Sequence, residues 1–120
     1  MPNTEVVLFA EDDGSVPLLR WLDAQPAKVQ DKCIVRIERL AELGHELRRP
    51  EADYLRDGIH ELRVSRQGVH YRMLYFFSRG KAVISHGLTK EGRVPDRDIE
   101  LAINRKARLE LNPNTHIHQE

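Results

Sequence analysis

Between Gly58 and Leu88 the chain reads GIHELRVSRQGVHYRMLYFFSRGKAVISHGL, three apolar runs cut by two turn-like segments. Ile59 to Val64, His70 to Phe77 and Ala82 to Leu88 each carry the alternation of a half-buried strand. Ser65–Gly68 and Ser78–Lys81 are short enough to join them as hairpins. This leaves little choice of architecture nearby: three adjacent antiparallel strands. It also sets a chemical problem. Alternation puts Ile59, Glu61 and Arg63 on one side of the first run and Arg72, Leu74 and Phe76 on one side of the second. A guanidinium in such a strand stays charged, so it needs an anion or a water-filled cleft to face.

Two helices precede these strands. Ser15 is placed to cap a helix opening at Val16-Pro17, with Leu18, Leu19, Trp21 and Leu22 on its apolar side. Val29, Cys33, Ile37 and Leu40 recur at helical spacing from Ala27 to Leu43, with Lys28, Asp31, Lys32, Arg36, Glu38, Arg39 and Glu42 opposite. Gly44 suits the stop of that helix. Thr4–Ala10 reads as a strand, His45–Asp57 as a loop, and Asp96 or Asp98 opens a last helix with Ile99, Ala102 and Ile103 buried. The order β-α-α-β-β-β-α predicts an α+β domain: a mostly antiparallel four-stranded sheet, an N-terminal helical hairpin on one face, and a C-terminal helix. One domain is expected over residues 1–110, with 111–120 a flexible tail.

Composition excludes several classes. The only cysteine, Cys33, rules out an intrachain disulfide framework and a cysteine-rich zinc site, and its helical setting marks it as a small buried hydrophobe. The N-terminus has no basic leader and only a short apolar run before Glu11, Asp12 and Asp13, which fits neither a signal peptide nor a membrane span. A cytoplasmic protein is expected. The net charge is zero, yet residues 1–47 hold five Lys/Arg against nine Asp/Glu, and residues 48–108 hold fourteen against eight. Such segregation suits a chain that turns one side to an anion such as nucleic acid.

The motifs Gly-Ile-His-Glu-Leu-Arg-Val at 58–64, Tyr-Arg-Met-Leu-Tyr-Phe-Phe at 71–77 and Ser-His-Gly-Leu-Thr-Lys at 85–90 resemble the HigB/RelE superfamily of bacterial type II toxins, in its phage-derived branch. Pro-Asp-Arg-Asp-Ile-Glu-Leu-Ala at 95–102 is similar too, and the resemblance covers roughly residues 4–108. It implies a RelE-like fold and a ribosome-dependent mRNA endonuclease that is neutralised by an antitoxin, a small helix-turn-helix protein. The implied chemistry is attack of a ribose 2′-hydroxyl on the adjacent phosphate, with no metal and no cofactor. Carried over by position, Arg72 is the phosphate clamp and Arg63 a second phosphate contact, with His86 and Lys90 completing the catalytic set. Glu61, Arg66 and Arg93 are assigned to RNA binding. Two departures stand out: Glu61 occupies a place where some members carry lysine, and no tyrosine follows Leu88. The rival reading is a non-catalytic toxin-fold module that pairs with an antitoxin.

Several residues keep two readings on sequence alone. Arg63 and Arg72 could be salt-bridge partners for nearby acids. His86 could be a hydrogen-bonded core histidine or an acid/base group. Tyr71, Tyr75, Phe76 and Phe77 at period two could stack on bases but fit a core better. His116 and His118 are not assigned to a metal.

Overall fold

In the computed structural model, which describes residues 3–118, five strands and four helices are built from these patterns. The strands are β1 (Glu5–Leu8), β2 (Ala52–Arg56), β3 (Ile59–Arg66), β4 (Val69–Ser78) and β5 (Lys81–Thr89). The helices are α1 (Pro17–Asp23), α2 (Ala27–Leu43), α3 (Asp96–Leu111) and α4 (Pro113–His116), with a 3-10 turn at Gly44–Glu46. The sheet order is β1-β5-β4-β3-β2. Three ladders are antiparallel, but β1 runs parallel to β5, so the sheet is mixed.

Two expectations are corrected here. The sheet has five strands, not four, because Ala52–Arg56 inside the expected loop pairs with β3 through Ala52–Leu62, Asp53–Glu61 and Tyr54–His60. Its own alternation is weak, and the neighbouring strand supplies the order. The sheet, expected to be mostly antiparallel, is mixed: β1, the first strand of the chain, lies parallel to β5, the last, at the edge opposite β2. Hairpin geometry explains the rest. Asp57-Gly58, Gln67-Gly68 and Arg79-Gly80 all have positive φ at both positions, the signature of tight type I′ turns that match strand twist.

Each face of the sheet has its own core. Leu62, Val64, Tyr71, Met73, Tyr75 and Ile84 pack under α1 and α2, against Leu18, Val29, Cys33 and Leu40. Trp21 lies so close over Gly87 that a Cβ there would run into the indole, which is why β5 carries glycine at that place. Cys33 is fully buried, and burial pushes its thiol up to about 11, so it is a packing residue. On the other face Ile59, Leu74, Phe76 and Val83 pack under Ile99, Ala102 and Leu109 of α3. Ser15 caps no helix: it bonds Asp13, and Val16 precedes α1 without a side-chain cap.

Beyond Leu111 the chain is ordered where a flexible tail is expected. It turns through α4, bridges Phe9 with Ile117 and buries His116, whose Nδ1 lies 2.8 Å from the Ala10 carbonyl and whose ring stacks on Phe9. Gln119 and Glu120, the end of that expected tail, lie outside the described residues.

Candidate functional site

Arg63 and Arg72 are direct cross-strand partners on β3 and β4. Strand alternation places both, with Glu61, on the α3 side of the sheet. That helix covers Ile59, Leu74 and Phe76, and the arginines lie further along the strands, toward the Gln67-Gly68 turn. On the opposite, α2-covered face a cleft of about 650 Å³ opens at this end of the strands, between α2, residues 49–50 and the β3–β4 hairpin, with Val64 and Tyr71 in its wall. Lys32, Arg36, Arg49, Arg63, Arg72 and His70 line it, against a single acid, Asp31. Five permanent cations border this opening, Lys32 and Arg36 from α2 and Arg63 and Arg72 from strands that alternate toward α3, so the hairpin end of the sheet is strongly cationic.

Carboxylates just outside the lining temper that field. Arg49 bonds Asp53 through Nε and Nη2, at 3.0 and 2.8 Å. Arg36 is held by Glu51 at 3.8 Å and donates to the Arg63 carbonyl. Arg72 faces Glu61 at 3.4 Å. Lys32 and Arg63 make no ion pair among the described residues, although the Arg63 charge acts on Glu61 and Asp53.

The Glu61–Arg72 contact is poorly satisfied. Both residues are buried, and Glu61 Oε1 has no hydrogen-bond partner in spite of the nearby guanidinium. Burial pushes the Glu61 carboxyl up, with Arg72 and Arg63 pulling part of the way back. A carboxylate that holds its proton more readily than usual, beside two cations, can take up a proton from a substrate hydroxyl. It can equally occupy the clamp.

His86 is placed elsewhere. A bulge in β5 inserts Ser85 between the pairs Leu74–His86 and Tyr75–Ile84 and re-aims both side chains. Ser85 Oγ is 2.8 Å from His86 Nδ1, and Asp98 Oδ1, in the first turn of α3, is 3.1 Å from Nε2. Burial holds the imidazole below its ordinary range, partly offset by Asp98. With both ring nitrogens engaged and no polar contact to Arg63 or Arg72, His86 ties α3 to the sheet. His86 does not line the cleft, so the structure sets it apart from the arginines with which the expected catalytic role groups it.

The remaining assigned residues lie at the rim. Lys90 is exposed, and its N–H donates to the His70 carbonyl at 3.1 Å, beside the cleft. Arg93 is exposed on the loop before α3, with no ion pair among the described residues. Arg66 lies at the hairpin end and bonds Gln67. Sequence reasoning missed Lys32, Arg36, Arg49 and His70. The first two sit four apart on the polar side of α2, a spacing that marks a cationic stripe but not what it faces. Arg49 lies in the segment expected as a loop, and His70 shares the Arg72 side of β4, two residues nearer the turn. Among the described residues no group of three or more His, Cys, Asp or Glu is arranged to hold a metal. No helix among them is long and apolar enough to cross a membrane.

A family profile described as phage derived protein Gp49-like (DUF891) matches residues 20–107, well over half of the chain. The matched segment runs from α1 through all of β2–β5 into α3, and so contains every residue lining the cleft. No curated protein matches the chain.

Proposed function

The chain belongs to the Gp49-like family of phage-derived proteins, a RelE/HigB-like toxin family, and on that premise we propose that it is the toxin of a type II toxin–antitoxin pair that cleaves mRNA on the ribosome. The observation that carries the reading is the cleft. Lys32, Arg36, Arg49, Arg63 and Arg72 all border one opening of about 650 Å³, a concentration of positive charge that suits a phosphodiester in its transition state.

In the proposed reaction the ribose 2′-oxygen attacks the adjacent phosphorus and the bond to the 5′-oxygen breaks. The products are a 2′,3′-cyclic phosphate and a free 5′-hydroxyl. Glu61 accepts the 2′-hydroxyl proton, a role that its raised pKa suits. Arg72 binds two non-bridging oxygens and Arg63 a third contact, neutralising the charge that builds on the phosphorane. His70, in the cleft wall, is positioned to return a proton to the leaving 5′-oxygen. Lys90, Arg93 and Arg66 hold the RNA backbone at the rim. His86 acts as a positioning residue through Asp98 and Ser85. The reaction asks nothing of a metal or cofactor. The proposed partners are ribosome-bound mRNA and a small helix-turn-helix antitoxin, and the proposed compartment is the cytoplasm.

A second reading is favoured by one contact. Glu61 already sits against Arg72 at 3.4 Å, so the clamp could be silenced and the protein could be a non-catalytic module that pairs with an antitoxin. Expression without an antitoxin separates the two: the toxin arrests growth, and Arg72→Ala relieves the arrest while the protein remains folded. A fully toxic Arg72→Ala protein would sink the site assignment. On programmed ribosomes the toxin leaves cyclic-phosphate ends, whereas the module leaves the message uncut.

A further inference from the structure

A second cavity, of about 280 Å³, lies between the 3-10 turn, residues 47–49 and the neighbouring ends of β2, β3 and β4. Its lining is unusually rich in rings: His45, Tyr54, His60, Tyr75 and Phe77 all contribute. They are arranged as a stack. His45 lies over Phe77 with centroids 3.6 Å apart and planes 20° apart, and His60 over Tyr75 at 5.0 Å and 19°. Tyr54 meets His60 edge-on at 5.0 Å, and in a chain with three tyrosines it is the one left 56% exposed. A large aromatic held over a cavity mouth, its hydroxyl fixed by the Gly58 N–H at 2.9 Å, is a preformed flat surface.

The polar groups around the rings suit a heterocycle's edge. Asp53 is kept ionised by Arg49, the Arg48 side chain makes no ion pair among the described residues, and the Tyr75 hydroxyl, pushed up to about 12 by burial, stays protonated. Burial and the neighbouring His45 keep His60 neutral. Acceptor, donors and uncharged rings together read the edge and face of a base better than they hold an ion.

Position names the occupant. Arg49 lines this cavity and the cationic cleft alike, so the two are separated by one side chain. We propose that the second cavity is a nucleobase subsite, taking one unstacked base of the single-stranded RNA whose backbone runs through the cleft. The inference rests on the RNA reading of that cleft and adds the means by which the chain grips a particular nucleotide.

The test uses short 2′-O-methyl RNA, which resists cleavage, with a single abasic position moved along it. Binding to the full-length protein is followed by fluorescence anisotropy. At one position the abasic site weakens binding to the wild-type protein about tenfold. Tyr54→Ala weakens the intact oligonucleotide by a similar factor and no longer distinguishes it from the abasic one. Tyr54→Phe, which keeps the ring, binds as the wild type does. Arg63→Ala weakens intact and abasic RNA alike, reporting on the cleft alone. If Arg63→Ala weakens binding and Tyr54→Ala does not, the subsite is refuted while the cleft reading stands. If the wild-type protein binds none of these RNAs, the cleft reading falls and takes the subsite with it.

Discussion

Arg72 and Arg105 are equally buried, each 8% exposed, and both sit on the α3 side of the sheet. Arg105 is surrounded by partners. Its Nη2 donates to Glu11 at 2.8 Å, its Nη1 points at the Ser85 carbonyl and hydroxyl at 3.4 Å, and its guanidinium lies over the Phe9 ring. Arg72 has one acid at 3.4 Å and a carboxylate oxygen that no donor satisfies. A buried charge held by several partners is structural even with its Nε unpaired, since removing it leaves those partners short. One left short of partners in an open cleft is free for a ligand to complete. The same residue type at the same burial serves opposite purposes, and its neighbours decide which.

Arg105→Ala should break this comparison most visibly if it is wrong. Losing that side chain leaves Glu11 with Arg108 alone and empties the buried space over the Phe9 ring, so the unfolding free energy should fall by about 3 kcal/mol in urea titrations. Arg72→Ala should cost under about 1 kcal/mol, because its ion pair is incomplete. Equal costs would mean that the two ends of the face are built alike.

Glu61→Gln sharpens the contrast from the acid side. Removing the negative charge beside Arg72 should tighten binding of uncleavable RNA about fivefold, read by anisotropy at fixed salt. Cleavage then discriminates the two proposals: the rate falls if Glu61 accepts the 2′-proton and rises if it silences the clamp.

The two regions should also answer pH in opposite senses. His86 is held below its ordinary pKa, so the folded state binds fewer protons there than the unfolded chain. Its contribution is present above about pH 6.5 and is lost as pH falls through the lowered folded value. Glu61 is raised, so its contribution is complete below about pH 4.5 and drains as pH rises through its folded value. Stability measured between pH 7 and pH 5 should fall in the wild-type protein and fall less in His86→Gln. A His86→Gln profile as steep as the wild type would remove His86 from the account.

Lys90→Ala should have the smallest effect. An exposed rim cation that holds one phosphate should lower the slope of log affinity against log salt by about 0.7 for a single strand. An unchanged slope would confine RNA contact to the cleft.

Much of the fold was legible because it rests on local patterns. The helical stripe from Val29 to Leu40 bounds α2, and the alternation around Arg63 and Arg72 sets β3 and β4 with the arginines on one side. The strand β2 was not legible, since Ala52–Arg56 is ordered by its neighbour and not by its own pattern. Nor was the ordered end of the chain, where polar residues are fixed by Phe9 and Ala10 across the molecule. Half of the cleft escaped for the same reason: Lys32 and Arg36 looked like a solvated helix face until the β3–β4 hairpin stood opposite.

The sequence alone determined that two arginines would face the same way from adjacent strands, because a period of two leaves an alternating chain no other choice. Only the tertiary structure decided which imidazole and which arginine would be spent on stability. Glu11 and Arg105 lie ninety-four positions apart, and a one-residue bulge at Ser85 aims His86 at Asp98. Electrostatic pairing acts over a few ångströms of space, whatever the separation along the chain, so the fate of each buried charge is fixed only when the chain has closed around it.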